Sequence, residues 1–336
     1  MPNSLNQFTN LVFEGGGVKG IAYCGALEIL ESKGILNNVS RVAGTSAGAI
    51  TAGLLAVGFT NDEIFNLLKQ TSFSSFMDSR WGFIRDAIGL FFKFGWYKGK
   101  KFQQWFETQI EKKTGNKNFA FKDLQEAVSN KKPGFKELAV AGTNLSTQTT
   151  EIFSWETTPE IPIANAIRIS MSIPLFFYIV NYKEFRYVDG GLYYNYPINI
   201  FDNVKYLSDK KFGKEIDYDP REGAIYNCQT LGLRVDTKKE IKSVFENTPP
   251  QPIKSIKDYM GALIGGYMEG MNKIHLHEND WHRTIYIDSL GVKTTQFDLD
   301  DKTIKDLVDS GKKGAKKYFD WFENPDESTS PWNKVE

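Results

Sequence analysis

The sequence has few cysteines and few histidines. Only Cys24 and Cys228 occur among the 336 residues, and there are three histidines. Two cysteines are too few for a disulfide framework or a cysteine-rich metal site. Lys and Arg total 41, and Asp and Glu also total 41, so the net charge is near zero. Because nucleic-acid binding needs a basic excess, we expect no nucleic-acid partner.

The sequence also lacks a recognisable targeting segment. The first ten residues are mostly polar and uncharged, without the basic start and apolar core of a signal peptide. Residues 42–59 carry no charge and are the candidate for a membrane span. Their many Gly, Ala, Ser and Thr residues favour a buried core helix instead. We therefore expect a soluble cytoplasmic protein with no transmembrane segment and at most peripheral contact with membranes.

Apolar periodicity predicts alternating strands and helices. The first 58 residues alternate as strand 11–13, helix 21–33 with Gly34 as its C-cap, strand 39–43, and a buried helix to about residue 57. This order is typical of a parallel sheet with right-handed crossovers. The remaining predictions are strands 137–143, 149–154 (as a hairpin partner), 185–188, 224–235 and 283–287, helices 60–70, 163–171, 253–274 and 302–322, and a loose polar tail at 323–336.

The second predicted strand runs into a G-x-S-x-G match, Gly44-Thr45-Ser46-Ala47-Gly48. Such a motif places a serine on a strained turn between a strand and a helix, with its hydroxyl exposed. The glycines are needed because side chains there would collide with the neighbouring elements. A five-residue match can occur by chance in a buried turn, but here the strand–turn–helix context is present. The pattern predicts that Ser46 is a nucleophile.

A second glycine-rich loop, Gly15-Gly16-Gly17-Val18-Lys19-Gly20, follows the first strand. It fits the G-x-G-x-x-G pattern of dinucleotide sites, but the next strand runs into the serine turn rather than to an acidic residue. It also lacks the P-loop form. The remaining role is a set of backbone N–H donors for an oxyanion. Lys19 either adds positive charge there or is solvated.

A third glycine turn, Asp189-Gly190-Gly191, follows a predicted strand. Parallel α/β sheets collect their sites at the carboxyl ends of strands, so the Asp189 carboxylate is a candidate base. An ordinary Asp-Gly hairpin turn is the alternative. The base is the preferred interpretation because a serine nucleophile needs one nearby.

The segments GGGVKG, GTSAG and DGG, in this order, resemble the patatin-like phospholipases. Residues 170–177, 284–288 and 295–299 also resemble family segments, so the likeness spans residues 8–322. The resemblance implies a single domain with a three-layer α/β/α sandwich around a mainly parallel sheet. It also implies a Ser–Asp dyad without histidine, with Ser46 as nucleophile and Asp189 as base. The implied oxyanion donors are Gly15, Gly16 and Gly17, and the implied supporting positions are Lys19, Gly20, Gly44, Gly48, Gly190 and Gly191.

The three histidines, His275, His277 and His282, leave an alternative mechanism open. They follow Asp189, so Ser46, Asp189 and a histidine reproduce the chain order of an α/β-hydrolase triad. The spacing of His275 and His277 also suggests a metal pair. Solvated surface histidines are the preferred interpretation, and we expect no metal or other cofactor.

Aromatic residues make up 14% of the chain, and many lie in residues 71–106 among lysines and arginines. One interpretation is additional core. The other is a lid or lipid-access insertion that faces an anionic membrane surface, because glycines interrupt its helical pattern. The residues singled out for lipid access are Phe91, Phe92, Phe94 and Trp96.

The sequence as a whole predicts a lipid acyl hydrolase. The expected substrates are phospholipids or lysophospholipids, cleaved through an acyl-enzyme on Ser46. The alternatives are a triad esterase or thioesterase on soluble acyl esters, and a non-catalytic lipid-binding protein. Neither the head group nor a protein activator can be read from the sequence.

Overall fold

The computed structural model describes residues 4–76, 95–216, 219–236, 280–294 and 296–324, with residues 253, 259 and 262. The strands are β1 Asn10–Phe13, β2 Arg41–Gly44, β3 Gly95–Tyr97, β4 Glu137–Asn144, β5 Thr149–Phe153, β6 Leu175–Phe177, β7 Val180–Tyr182, β8 Phe185–Asp189, β9 Gly213–Glu215, β10 Ile225–Asn227, β11 Thr230–Asp236 and β12 Thr284–Asp288. The helices are α1 Ala22–Ser32, α2 Ala47–Ala56, α3 Asn61–Gln70, α4 Lys100–Thr114, α5 Phe121–Ser129, α6 Ile163–Ser170, α7 Gly191–Tyr194 and α8 Asp301–Glu323.

The central sheet has eight strands, with the order β12-β11-β1-β2-β4-β8-β7 and β5 paired to β4. The strands β12, β11, β1, β2 and β4 are parallel, whereas β5, β7 and β8 add antiparallel pairs. The predicted α/β fold with a mainly parallel sheet is therefore confirmed.

β2 and β8 run in opposite directions along the same edge of β4, and their carboxyl ends face each other. β5 pairs with Val140 to Asn144, so it occupies the opposite edge of that stretch. β2 runs along the free edge as far as Val140, where Gly44 lies opposite, and β8 arrives from the other direction with Asp189 opposite Gly142. Because the two strands run toward each other, their carboxyl ends meet two residues apart on β4.

The central strand β1 is buried on both faces. Leu11 and Phe13 of β1 belong to the main core with α1, α2 and α8, whereas Val12 lies on the other face in a smaller cluster around residues 196–201. α1 and α8 approach closely, since a Cβ on Gly25 would lie 1.8 Å from the carbonyl oxygen of Val308. Complete burial of β1 is typical of a central parallel strand.

The uncharged stretch 42–59 is a core segment. Its helix α2 has ten residues, all buried, and packs on β1, β2 and β4. In the described part of the chain, no helix combines the length and the apolar character that a membrane span requires.

One predicted strand needs correction. Residues 224–235 form two strands rather than one, because Asn227 turns the chain: its side-chain oxygen accepts the N–H of Gln229. β10 then pairs with β9 outside the central sheet. Both ends of the aromatic segment contribute to the core, since Phe76, Phe102 and Phe106 are buried and Phe102 contacts the other two rings. The core interpretation holds for these residues.

Candidate active site

Ser46 occupies a strained turn between β2 and α2. Its backbone has φ 53° and ψ −122°, a conformation that residues with a side chain rarely adopt. The turn is held by a relay: the Ser46 N–H donates to Oγ of Ser170 at 2.9 Å, and that hydroxyl donates to the carbonyl oxygen of Ala141 at 2.6 Å. The predicted strained turn between a strand and a helix is therefore present, but Ser46 is only 7% exposed rather than exposed as predicted.

The motif glycines allow close backbone contacts around this turn. A Cβ on Gly44 would lie 2.4 Å from the carbonyl carbon of Gly48, and a Cβ on Gly48 would lie 2.4 Å from the carbonyl oxygen of Phe13. Gly20 meets the same helix, with its added Cβ 3.0 Å from Cβ of Ala47. Since these neighbours are mostly backbone atoms, side chains would displace β2 and α2.

Asp189 is the last residue of β8 and is 1% exposed. Its Oδ1 accepts the N–H of Gly191 at 2.7 Å, and its own N–H donates to the carbonyl oxygen of Ser172 at 2.9 Å. A Cβ on Gly190 would lie 2.3 Å from the carbonyl oxygen of Ala141, so the turn packs tightly on β4. The hairpin alternative is wrong, because β8 leads into α7 rather than into a partner strand.

Burial raises the pKa of the Asp189 carboxyl to about 7. Interaction with the Ser46 hydroxyl and the Gly191 N–H opposes this rise. The Ser46 contact falls short of a full hydrogen bond, since Oδ2 of Asp189 is buried and has no partner of normal geometry among the described residues. A carboxylate with one oxygen held and the other unengaged beside a serine can act as a proton acceptor at neutral pH.

The glycine loop lies at the carboxyl end of β1, next to the serine turn. The Gly15 N–H is already used, donating to the carbonyl oxygen of Asn195 at 3.0 Å. The N–H groups of Gly16 and Gly17 have no acceptor among the described residues. Of the three glycines predicted as oxyanion donors, Gly16 and Gly17 are therefore the two with free amides.

Lys19 is buried rather than solvated. Its Nζ donates to the carbonyl oxygen of Val235 at 3.3 Å, and its side chain is part of a charged cluster at the end of β11. In that cluster, Nε of Arg234 lies 2.5 Å from Oδ2 of Asp236 and 3.4 Å from Oε1 of Glu14. Burial raises the pKa of Glu14 to about 8, against the opposing effect of Arg234. The contacts of this cluster hold Glu14, which directly precedes the glycine loop, and Lys19, which lies within it.

Sequence reasoning missed several residues that hold the site together. Ser170 and Ser172 connect the serine turn with Asp189, while Glu14 and Asn195 hold the glycine loop. The hydroxyl of Thr45 also donates to the carbonyl oxygen of Tyr194 at 2.9 Å. One available signal was the charge of Glu14 directly after an apolar strand, since a buried charge needs partners.

His282 does not meet Ser46. It lies in the turn Asp280–Arg283 before β12, and its ring stacks on that of Trp281 with the ring centroids 3.5 Å apart. Ser46 follows β2, and β12 lies three strands away from β2 in the sheet order β12-β11-β1-β2. At roughly 4.8 Å between neighbouring strands, this places the two strands about 14 Å apart. A triad through His282 is therefore wrong, and His275 and His277 lie outside the described residues.

The predicted lipid-access residues are only partly described. Phe91, Phe92 and Phe94 lie outside the described residues, and the backbone of Trp96 lies in β3. β3 pairs with β6, and Tyr97 contacts the ring of Phe176 at 4.8 Å. Phe176 in turn contacts Phe297 at 5.0 Å. These rings form an apolar cluster that connects β3 with the segment after Ser172.

The buried carboxyl of Asp189 predicts a pH-dependent stability. Its pKa of about 7 in the folded protein exceeds the value of roughly 4 in the unfolded chain, so the folded state holds the proton more tightly. The contribution of this group to stability is therefore present at low pH and is lost as the pH rises from about 4 to about 7.

Replacing Asp189 by Asn removes this titration. Between pH 5 and pH 8 we expect the wild-type free energy of unfolding to fall by roughly 3 kcal/mol relative to Asp189→Asn. Urea unfolding of both proteins at both pH values measures the difference, and the other titrating groups cancel in the comparison. A difference that does not change with pH would contradict the raised pKa.

The chain is similar to a known family and to several known proteins. Residues 11–202 match the family model described as patatin-like phospholipase. The chain is 29% identical over 322 residues to the uncharacterized protein YqhO of Bacillus subtilis, covering 92% of this chain and 97% of that protein. It is also 34% identical over 214 residues to a protein of Invertebrate iridescent virus 6 named "Probable lipid hydrolase 463L", covering 63% and 68% of the two chains.

A solved structure shows the same fold. The crystal structure of VipD from Legionella pneumophila superposes with a TM-score of 0.58 at 18% identity, covering 94% of this chain and 67% of that one. The family model covers more than half of this chain and includes the glycine loop, the Ser46 turn and the Asp189 turn. The chain therefore belongs to the patatin-like phospholipase family.

Proposed function

We propose that this protein is a lipid acyl hydrolase that uses Ser46 as nucleophile and Asp189 as general base. Membership of the family and the resemblance to a viral protein named as a lipid hydrolase support hydrolysis of lipids in general. The observation that carries the dyad is the meeting of β2 and β8 along β4, which brings a strained serine beside a buried carboxyl whose pKa is about 7.

In the first step, Oδ2 of Asp189 takes the proton of the Ser46 hydroxyl as Oγ attacks the ester carbonyl carbon. The amino end of α2 favours negative charge on Oγ, because the helix dipole is positive there. The amides of Gly16 and Gly17 donate to the carbonyl oxygen as it becomes negative. The ester C–O bond then breaks, and Asp189 returns the proton to the leaving alcohol.

In the second step, water hydrolyses the acyl group on Ser46. Asp189 takes a proton from the water, whose oxygen attacks the acyl carbonyl carbon. The Ser46–acyl bond breaks, and the proton returns to Oγ as the fatty acid leaves. One carboxyl thus serves both steps as base and acid, which suits a pKa near the working pH.

We propose phospholipids or lysophospholipids as substrates, reached at a membrane surface. The aromatic and basic residues between 71 and 106 support this proposal, since such composition suits contact with anionic lipid. The ring cluster of Tyr97, Phe176 and Phe297 gives the described end of that segment an apolar surface for acyl chains.

The test uses vesicles of mixed phosphatidylcholine and phosphatidylglycerol. The wild-type protein is expected to release fatty acid from them and to float with them in a density gradient. Ser46→Ala is expected to float equally but to release no fatty acid above background. Fatty-acid release by a folded Ser46→Ala protein would contradict the nucleophile, and wild-type protein that neither floats nor releases fatty acid would contradict the substrate class.

A further inference from the structure

The side chain of Asn195 lies beside Ser46 although the proposed dyad makes no use of it. Asn195 directly follows α7, the short helix after Asp189, and is 7% exposed. A Cβ on Gly15 would lie 2.2 Å from Oδ1 of Asn195 and 3.2 Å from Cβ of Ser46. Oδ1 and the serine side chain therefore lie on the same side of the glycine loop.

The orientation of the Asn195 amide is fixed by its contacts. Nδ2 donates to the carbonyl oxygen of Gly15 at 3.1 Å and lies 3.4 Å from Oε1 of Glu14. The carbonyl oxygen of Gly15 can only accept a hydrogen bond, so the NH₂ group must face it and Oδ1 must face away. The backbone adds a third contact, since the Gly15 N–H donates to the Asn195 carbonyl oxygen. The side chain and the backbone of Asn195 thus each make a hydrogen bond to Gly15.

Oδ1 of Asn195 has no hydrogen-bond donor among the described residues, although it is buried. A buried acceptor without a partner costs free energy, and native structures contain few of them. This acceptor is held rigidly by the two contacts of Nδ2 and lies next to the proposed nucleophile. A donor that arrives with the substrate or with water would complete its hydrogen bonding.

We propose that Oδ1 of Asn195 accepts a hydrogen bond from a hydroxyl group next to the scissile ester. The inference rests on the proposed function. The hydroxyl has two possible sources: the free hydroxyl on the neighbouring carbon of a monoacyl lipid such as a lysophospholipid, or the water that attacks the acyl group on Ser46. In the second case Asp189 takes one proton of the water while its other O–H donates to Oδ1.

Two substrates and one variant separate these sources. The substrates are a 1-acyl lysophosphatidylcholine and its analogue without the hydroxyl on the neighbouring carbon. If Oδ1 binds the substrate hydroxyl, the wild-type kcat/KM is expected to favour the hydroxyl substrate by about 10-fold, the value of one hydrogen bond at a buried acceptor. Asn195→Ala is expected to bring this ratio close to one.

If Oδ1 binds the attacking water, Asn195→Ala is expected to slow turnover of both substrates equally, by about 10-fold. The slow step is then deacylation, so the alcohol is released in a burst of about one equivalent and acyl-Ser46 accumulates. If Asn195→Ala keeps the wild-type ratio of kcat/KM for the two substrates and also shows no burst, the proposal is overturned. This holds whether or not the turnover of the variant falls.

Two further variants guard against a purely structural effect. Asn195→Asp keeps an acceptor oxygen but removes the donor to the carbonyl oxygen of Gly15. Its overall turnover is expected to fall, whereas its substrate ratio or burst behaviour is expected to stay that of the wild type. Asn130→Ala removes an exposed amide at the end of α5 and is expected to behave as wild type. If the wild-type protein hydrolyses neither lipid, the proposed function itself fails, whereas an active enzyme whose Asn195→Ala variant shows neither signature contradicts only the role of Asn195.

Discussion

Replacing Asp189 by Asn is expected to lower kcat for ester hydrolysis by about 1000-fold, the effect of removing a general base. Asn has nearly the shape of Asp and can still accept the Gly191 N–H, so the turn after β8 should persist. The amide cannot take the proton of Ser46. Steady-state kinetics on a monoacyl lipid measures the loss, and circular dichroism checks the fold.

The pH dependence of kcat/KM in the wild-type enzyme tests the same role of Asp189. Because the pKa of Asp189 is about 7, the carboxylate is half formed near neutral pH. We expect kcat/KM to rise about 10-fold per pH unit below 7 and to level off above pH 8. The residual activity of Asp189→Asn should lack this rise. A folded Asp189→Asn enzyme with near-normal turnover would show that another group is the base.

Replacing Gly17 by Ala is expected to lower kcat by about 100- to 1000-fold, the cost of losing an oxyanion donor. Gly17 has φ +55°, a conformation that favours glycine, and an added Cβ would lie 2.1 Å from the carbonyl oxygen of Thr294. The neighbouring Val18 N–H donates to that same oxygen at 3.3 Å, so the loop cannot yield without losing this contact. The Gly17 amide should turn away from the reaction site.

Gly16→Ala is the matched control for this prediction. A Cβ on Gly16 would have its nearest neighbour at 3.8 Å, an ordinary contact, and its φ of −147° lies outside the left-handed region. The variant keeps the amide and should retain activity within a few-fold of wild type. Equal losses in both variants would indicate that the loop acts only as packing, and full activity of Gly17→Ala would remove it from the oxyanion site.

The turns of the candidate site could be predicted because their signals are local. The strand–turn–helix around Ser46 and the glycine loop after β1 depend on residues a few positions apart, and glycine is required where backbones touch. The fold class could also be predicted, since alternating strands and helices imply a parallel sheet.

The residues that hold the site could not be predicted because their contacts join distant parts of the chain. Ser170 meets Ser46 across 124 positions, and Asn195 meets Gly15 across 180. The reversed strand β8 follows no local pattern either, since only its pairing with β4 brings Asp189 to the end of β2. Aromatic spacing likewise did not separate core residues such as Phe102 from surface residues.

The central claim is that a lipid acyl group is transferred to Ser46. The most direct measurement is mass spectrometry of protein quenched during hydrolysis of a lysophospholipid, with the acylated peptide sequenced. We expect the mass of one fatty-acyl group on the peptide that contains Ser46, and none in Ser46→Ala. An acyl group on another residue, or hydrolysis by Ser46→Ala at the wild-type rate, would contradict the account.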